Sequence, residues 1–224
     1  MTPAHWDGWA GRAALLGGAL ALLLTPPFAS AFFAAYPGYD VPPFWVAPLQ
    51  PLLAPALGFA DRITVYNVYG RVYNVVYGLF LPAAFGLHRL QKKRGRLAGW
   101  GCGLTVAGLL TAAVGVAGDY WLDGAGFMLE LFGLLIMNLG ASLSGLAGLR
   151  AGGLPRGLAW LLTLCFPGLF AIQFLIWHIP SSPTFLFAAA WLSLGYHLGL
   201  TDAGRRGRPV RGGEPASRNP EALT

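Results

Sequence analysis

LAGWGCGLTVAGLLTAAVGVAG, residues 97–118, runs for 22 positions without a charged side chain. A helix needs about 20 predominantly apolar residues, at about 1.5 Å each, to cross the hydrocarbon core of a bilayer. The run is continuous rather than alternating, so it predicts a helix and not a strand of a membrane barrel. Its flanks differ in charge: Arg89, Lys92, Lys93, Arg94 and Arg96 precede it and Asp119 follows it. Basic residues are retained on the cytoplasmic side, so this helix enters the membrane from the cytoplasm. Gly101, Thr105, Gly108, Ala112 and Gly115 recur at spacings of four and three. Small residues at that spacing line one face and permit close helix packing.

Five further stretches have the same character: residues 13–35, 65–87, 125–148, 158–177 and 184–200. Together they predict an all-α, polytopic membrane bundle of six transmembrane helices occupying residues 13–201. The composition agrees, with 55% hydrophobic and only 11% charged residues, where soluble domains carry about 25% charged. With the N-terminus inside, the cytoplasmic segments also collect Arg12, Arg150, Arg156, Arg205, Arg206, Arg208, Arg211 and Arg218, making 13 of the 15 basic residues. The outer side receives only Arg62 and Arg71, together with Asp40, Asp61, Asp119 and Asp123. The expected topology therefore has both termini in the cytoplasm, a short segment 1–12 before the first span and a polar, disordered tail over 202–224. The bias toward Ala, Gly, Leu and Arg resembles that of bacteria with GC-rich genomes, so the expected location is a bacterial plasma (inner) membrane. The net charge of +6 does not indicate nucleic acid, because the basic residues sit in short runs between apolar stretches. The lipid bilayer is the expected partner, and the small-residue seams offer a surface for oligomer contacts.

Two segments carry competing readings. Arg12, the apolar run and Ala29-Ser30-Ala31 resemble a secretory signal with a small-residue cleavage site. An uncleaved helix kinked at Pro26-Pro27 is favoured, because the apolar character continues through Phe32, Phe33, Ala34 and Ala35. The outer loop over 36–64 holds Pro37, Pro42, Pro43, Pro48, Pro51 and Pro55, so a long regular helix is not expected. Its apolar residues, Phe44, Trp45 and Leu52 among them, mark either a lid over an outward-facing pocket or an interfacial anchor.

Ionisable groups at membrane depth are costly and are functional candidates by default. Glu130 lies roughly 8 Å into the fourth span, and Arg71 sits at similar depth in the second. An opposite pair at matched depth offsets part of the desolvation of each. On the helical wheel Asn67, Arg71, Asn74 and Gly78 share one sector, with Tyr66, Tyr69, Tyr73 and Tyr77 in an adjacent stripe. This predicts that the polar sector of the second span and the Glu130 side of the fourth face the bundle interior. The resulting pocket is lined by Asn67, Arg71, Tyr73, Asn74, Tyr77 and Glu130, and binds a small charged or amphipathic ligand. The alternative is a structural pair, with Arg71 snorkelling to water.

Cys102 and Cys165 are isolated, and the four histidines, His5, His88, His178 and His197, form no metal set. HExxH, GxSxG and P-loop motifs are absent, so no cofactor or metal is expected. Three functions follow. A ligand-binding or transport component ranks first. A membrane enzyme acting on a lipid or quinone ranks second; it needs a cluster of acid, base or nucleophile near one interface, with Arg71, Glu130 and His178 as the outer-side candidates, and His178 within hydrogen-bond reach of Glu130 would favour it. A structural or assembly subunit without a cavity ranks third.

Overall fold

The computed structural model describes residues 3–38, 41–91, 95–122 and 124–206, with side chains from residue 8 to residue 199. Asp40, Lys92, Lys93, Arg94, Asp123 and the tail beyond Arg206, with Arg208, Arg211 and Arg218, lie outside the described residues. The described residues form seven helices and no strand: α1 (Pro3–Ala35), α2 (Val46–Leu57), α3 (Arg62–Gln91), α4 (Gly95–Trp121), α5 (Phe127–Ala151), α6 (Arg156–Ile176) and α7 (Ser181–Arg206). Each of the six expected spans matches one long helix to within two residues: 125–148 begins two residues before α5 and 158–177 ends one residue after α6, and the other four lie inside their helices.

Four helices are long and apolar enough to cross a membrane: Gly8–Ala35, Gly95–Trp121, Phe127–Ala151 and Arg156–Ile176. At 30 and 26 residues, α3 and α7 have the length but a more polar composition. Their polar groups are largely engaged within the bundle, as backbone satisfaction in lipid requires. Tyr77 Oη lies 3.1 Å from Thr184 Oγ1 of α7, and Trp191 Nε1 of α7 donates to Phe80 O of α3 at 3.2 Å. Asn138 Nδ2 of α5 donates to Pro183 O at 3.1 Å.

The six long helices close into a ring in which α1 contacts α3, α3 contacts α4, α4 contacts α5, α5 contacts α6, α6 contacts α7, and α7 returns to α1. The first half of α7 also leans inward onto α3 and α5, and buries Phe187 and Trp191 in a stacked pair with centroids 3.8 Å apart. Chain reversals are made by residues suited to them. α5 stops at Gly152 and Gly153, with φ of 69° and 85°, and Pro155 precedes α6. Glycine carries no steric penalty in that region.

Prolines lie inside α1 and α2. Pro26 and Pro27 lie inside an unbroken α1, and Ala29, Ser30 and Ala31 are buried in the bundle. Within 36–64, the expected irregular loop contains the 12-residue α2. Pro48 occupies its first turn, where the N–H has no helical partner in any case. Pro51 and Pro55 each remove one helical hydrogen bond, on an element whose carbonyls reach solvent. Two side chains hold the segment down: Tyr69 Oη donates to Ala56 O and Trp45 Nε1 donates to Leu175 O, both at 2.9 Å.

The tightest contact in the ring joins α4 to α5, antiparallel. A Cβ placed on Gly101, Gly108 or Gly115 would collide with Ser144, Met137 and Glu130 respectively, in each case with backbone atoms. Gly133 and Gly140 face Ala112 and Thr105 in return. The small-residue seam expected on residues 101–115 is thus occupied by α5 of the same chain. Gly108→Ala should lower stability by about 2 kcal/mol or more, because the added methyl meets backbone that cannot rotate away. Gly103→Ala, on the same helix with open space around it, should be neutral or stabilising. Thermal unfolding of the two purified variants checks this; equal melting temperatures would show that the close approach does not hold α4 to α5.

Candidate functional site

The ends of the six long helices define two faces. At one, α1, α4 and α6 finish and α3, α5 and α7 begin. This face holds a cavity of about 540 Å³. It is lined by the end of α1 (Phe32 and Tyr36), the start of α3 (Ile63, Tyr66 and Asn67), the α4–α5 turn (Asp119, Tyr120, Gly124 and Phe127) and the end of α6 with the following loop (Gln173, Trp177, His178 and Ile179). No described residue between 41 and 61 lines it. The apolar loop therefore lies beside the cavity rather than over it, strapped to α3 and α6.

Local structure places these side chains. Gly124, at φ 87°, donates its N–H to Asp119 O at 2.9 Å, and Gly126 sits against the backbone of Gly115 and Asp119. A side chain at position 126 would push the turn apart, and this turn sets Asp119, Tyr120 and Phe127 at the rim. On the far side α6 ends in a left-handed residue, Trp177 at φ 56°, whose N–H reaches back to Gln173 O at 2.7 Å. Left-handed backbone is uncommon for a bulky residue. Here it turns the chain so that Trp177 and His178 both reach the cavity.

Beneath the cavity lies an aromatic cluster. Phe28 is fully buried, with Tyr66, Tyr73, Tyr120 and His178 around it at centroid distances of 5.5, 5.1, 5.6 and 4.6 Å. The Tyr66 and Tyr120 hydroxyls share a hydrogen bond of 2.9 Å, and Tyr73 Oη reaches Ala21 O at 3.4 Å. Buried phenols usually find such partners, since the ring is apolar and the hydroxyl is not.

His178 is held at several points. Its Nδ1 lies 2.9 Å from Ser181 Oγ, its N–H donates to Ser182 Oγ at 3.2 Å, and Ser182 Oγ donates to its carbonyl at 2.7 Å. Its Nε2 is buried without a hydrogen-bond partner. Burial among rings disfavours the imidazolium and pushes the pKa from 6.5 down to about 3.

The residues singled out in the sequence are divided by the fold. Tyr73 and Tyr77 are fully buried in the core, Asn67 lines the cavity, Asn74 is half-buried and Arg71 is exposed. Glu130, in the first turn of α5, is fully buried, and neither carboxylate oxygen has a hydrogen-bond partner. The Arg71–Glu130 pair is not assembled. Arg71 Nε donates to Tyr120 O at 3.0 Å, and its guanidinium lies over the Trp121 ring, 4.6 Å from the centroid. The reason is rotational. α3 turns Tyr66, Gly70, Tyr73 and Tyr77 inward, because those rings fill the core and their hydroxyls find partners. That leaves the adjacent Arg71 on the outside, in the snorkelling arrangement. His178 and Asp119 were not placed in the site from sequence. No spacing rule links them, since the cavity joins segments as far apart as residues 32 and 178.

Among the described residues no group of three or more His, Cys, Asp or Glu is arranged to hold a metal ion. Comparison with protein-family models, with curated proteins and with solved structures finds no match to this chain.

The His178 environment has a pH consequence. An imidazole with a depressed folded pKa binds fewer protons than the unfolded chain between about pH 3 and 6.5. Its contribution to stability is therefore present above 6.5 and lost as pH falls toward 3. The melting temperature of the wild type should drop more steeply between pH 7 and pH 4 than that of His178→Gln. Parallel pH profiles would show that His178 is not held neutral by burial.

Proposed function

We propose that this chain is a multi-pass protein of a bacterial plasma membrane. In this reading it crosses six times with both termini in the cytoplasm, and binds or conducts a small amphipathic ligand through a cavity open to the outside. The observation that carries it is the cavity of about 540 Å³, within the usual range of about 300–1,000 Å³ for ligand pockets. Its lining is mainly aromatic, with Asn67, Asp119, Gln173 and His178 as scattered polar groups. Orientation is supported by charge. Arg12, Arg89, Arg96, Arg150 and Arg156 belong to the helix ends opposite the cavity, whereas Arg62 and Arg71 belong to the cavity end. α3 and α7 cross in this reading because their polar groups bond one another and the bundle interior rather than lipid.

The arrangement gives the alternatives less support. A lipid or quinone enzyme would be favoured by His178 within reach of Glu130, but His178 bonds Ser181 and Glu130 has no hydrogen-bond partner. A purely structural subunit would need no cavity.

The test is directional labelling in a background where the buried cysteines are removed by Cys102→Ala and Cys165→Ala. Asn67→Cys and Gln173→Cys should react with a membrane-impermeant maleimide on intact cells. Arg150→Cys should react only after permeabilisation. The opposite pattern would turn the cavity toward the cytoplasm, and lack of reaction at both cavity positions under either condition would remove the water-accessible site.

A further inference from the structure

Charge and ring distribution at the cavity define its ligand more narrowly. Six of the lining side chains are aromatic: Phe32, Tyr36, Tyr66, Tyr120, Phe127 and Trp177. Among the described residues the lining has one carboxylate, Asp119, and no Lys or Arg. Two basic groups belong to the cavity half of α3: Arg71 is turned away onto Trp121 and Tyr120 O, and Arg62, exposed at the first position of the helix, does not line the cavity. His178 does not offset Asp119, because burial keeps its ring neutral.

Aromatic faces are the negative ends of ring quadrupoles, so a ring-lined wall attracts a cation and repels an anion. A carboxylate at the rim adds a Coulomb term that grows as water is displaced. A bare metal ion would need several oxygen, nitrogen or sulfur ligands, and among the described residues no such set exists. A weakly hydrated cation with apolar substituents uses both rings and carboxylate.

We propose that the cavity takes an organic monocation, an ammonium bearing apolar groups, with the aromatic lining around the charged head and Asp119 as its counter-ion. This rests on the reading of the cavity as a ligand site and adds the charge of the ligand. Tyr36, which follows the last residue of α1 and lines the cavity, packs at right angles against Tyr66 with centroids 5.5 Å apart. An aromatic wall without a charged partner would serve a neutral amphipath equally well. Asp119 is what distinguishes the two.

The experiment uses a matched trio of probes on the full chain in dodecyl maltoside, by isothermal titration against a micelle blank. Phenyltrimethylammonium and tert-butylbenzene have the same shape and differ in charge, and benzenesulfonate reverses the charge. The cation should bind at least about tenfold more tightly than tert-butylbenzene, and benzenesulfonate should not bind. Asp119→Asn should weaken the cation by about tenfold and leave tert-butylbenzene unchanged. Tyr36→Leu, which alters the rim without touching the charge, should weaken the cation by about threefold or more, and carries the test if Asp119→Asn does not fold. Equal affinity for cation and neutral probe overturns the monocation while leaving a ligand cavity. Failure of all three probes overturns the cavity as a ligand site. Cation binding unchanged in both variants places it elsewhere and also overturns the proposal.

Discussion

The backbone contact between α4 and α5, running from Gly101 against Ser144 to Gly118 against Gly126, sets the spacing on which the rest of the bundle depends. In lipid, helices gain little from hiding apolar side chains, because the surroundings are as apolar as the interior. Association relies instead on close van der Waals packing and on buried hydrogen bonds. Glycine, alanine, serine and threonine at that interface let two backbones meet, and the paired helices then act as one thick wall. Glu130 follows from the same contact. Its backbone is the part of α5 that Gly115 admits, so its side chain is committed to the interior.

Against that wall the ring is completed by two polar helices. α3 carries Tyr66, Tyr69, Tyr73 and Tyr77 and α7 opens with Ser181, Ser182 and Thr184, and both use hydrogen bonds to hold position: Tyr77 with Thr184, Trp191 with Phe80 O, Tyr66 with Tyr120 on α4. These bonds lie in a dry interior, where leaving a polar group unpaired costs more than the bond itself contributes. Glu130, His178 Nε2 and single side-chain oxygens of Ser30, Gln91, Asn138 and Ser144 depart from this rule, as buried polar atoms without partners. Of these residues His178 lines the cavity.

Much of the architecture was legible in residue order. The apolar runs located the long helices, and the four-and-three spacing of small residues located the packing face of α4. The site was legible only in part. Asn67, Asp119 and Gln173 are polar residues near helix ends, and the wheel identified α3 as two-faced. Which face turned inward was misread, because a polar sector was taken to seek the interior. Tyrosine resolves the matter differently: its ring fills the core while its hydroxyl is satisfied locally, so the stripe beside Arg71 is the buried one. Prolines argued against a long regular helix over 36–64, and the segment forms the short, 12-residue α2, which Trp45 and Tyr69 anchor.

Hydropathy and charge order along the chain were enough to determine that this is a bundle of long apolar helices with most of its described basic residues gathered at one set of helix ends. Both depend on neighbours in sequence, which one helix brings together by itself. The cavity was decided only in tertiary structure. Its walls come from Phe32, Tyr66, Asp119, Gln173 and His178, residues on different helices whose common location depends on the ring closing between α1 and α7. The rotation of each helix about its own axis, which puts Tyr66 inside and Arg71 outside, is likewise set by what its neighbours leave room for and not by its own sequence.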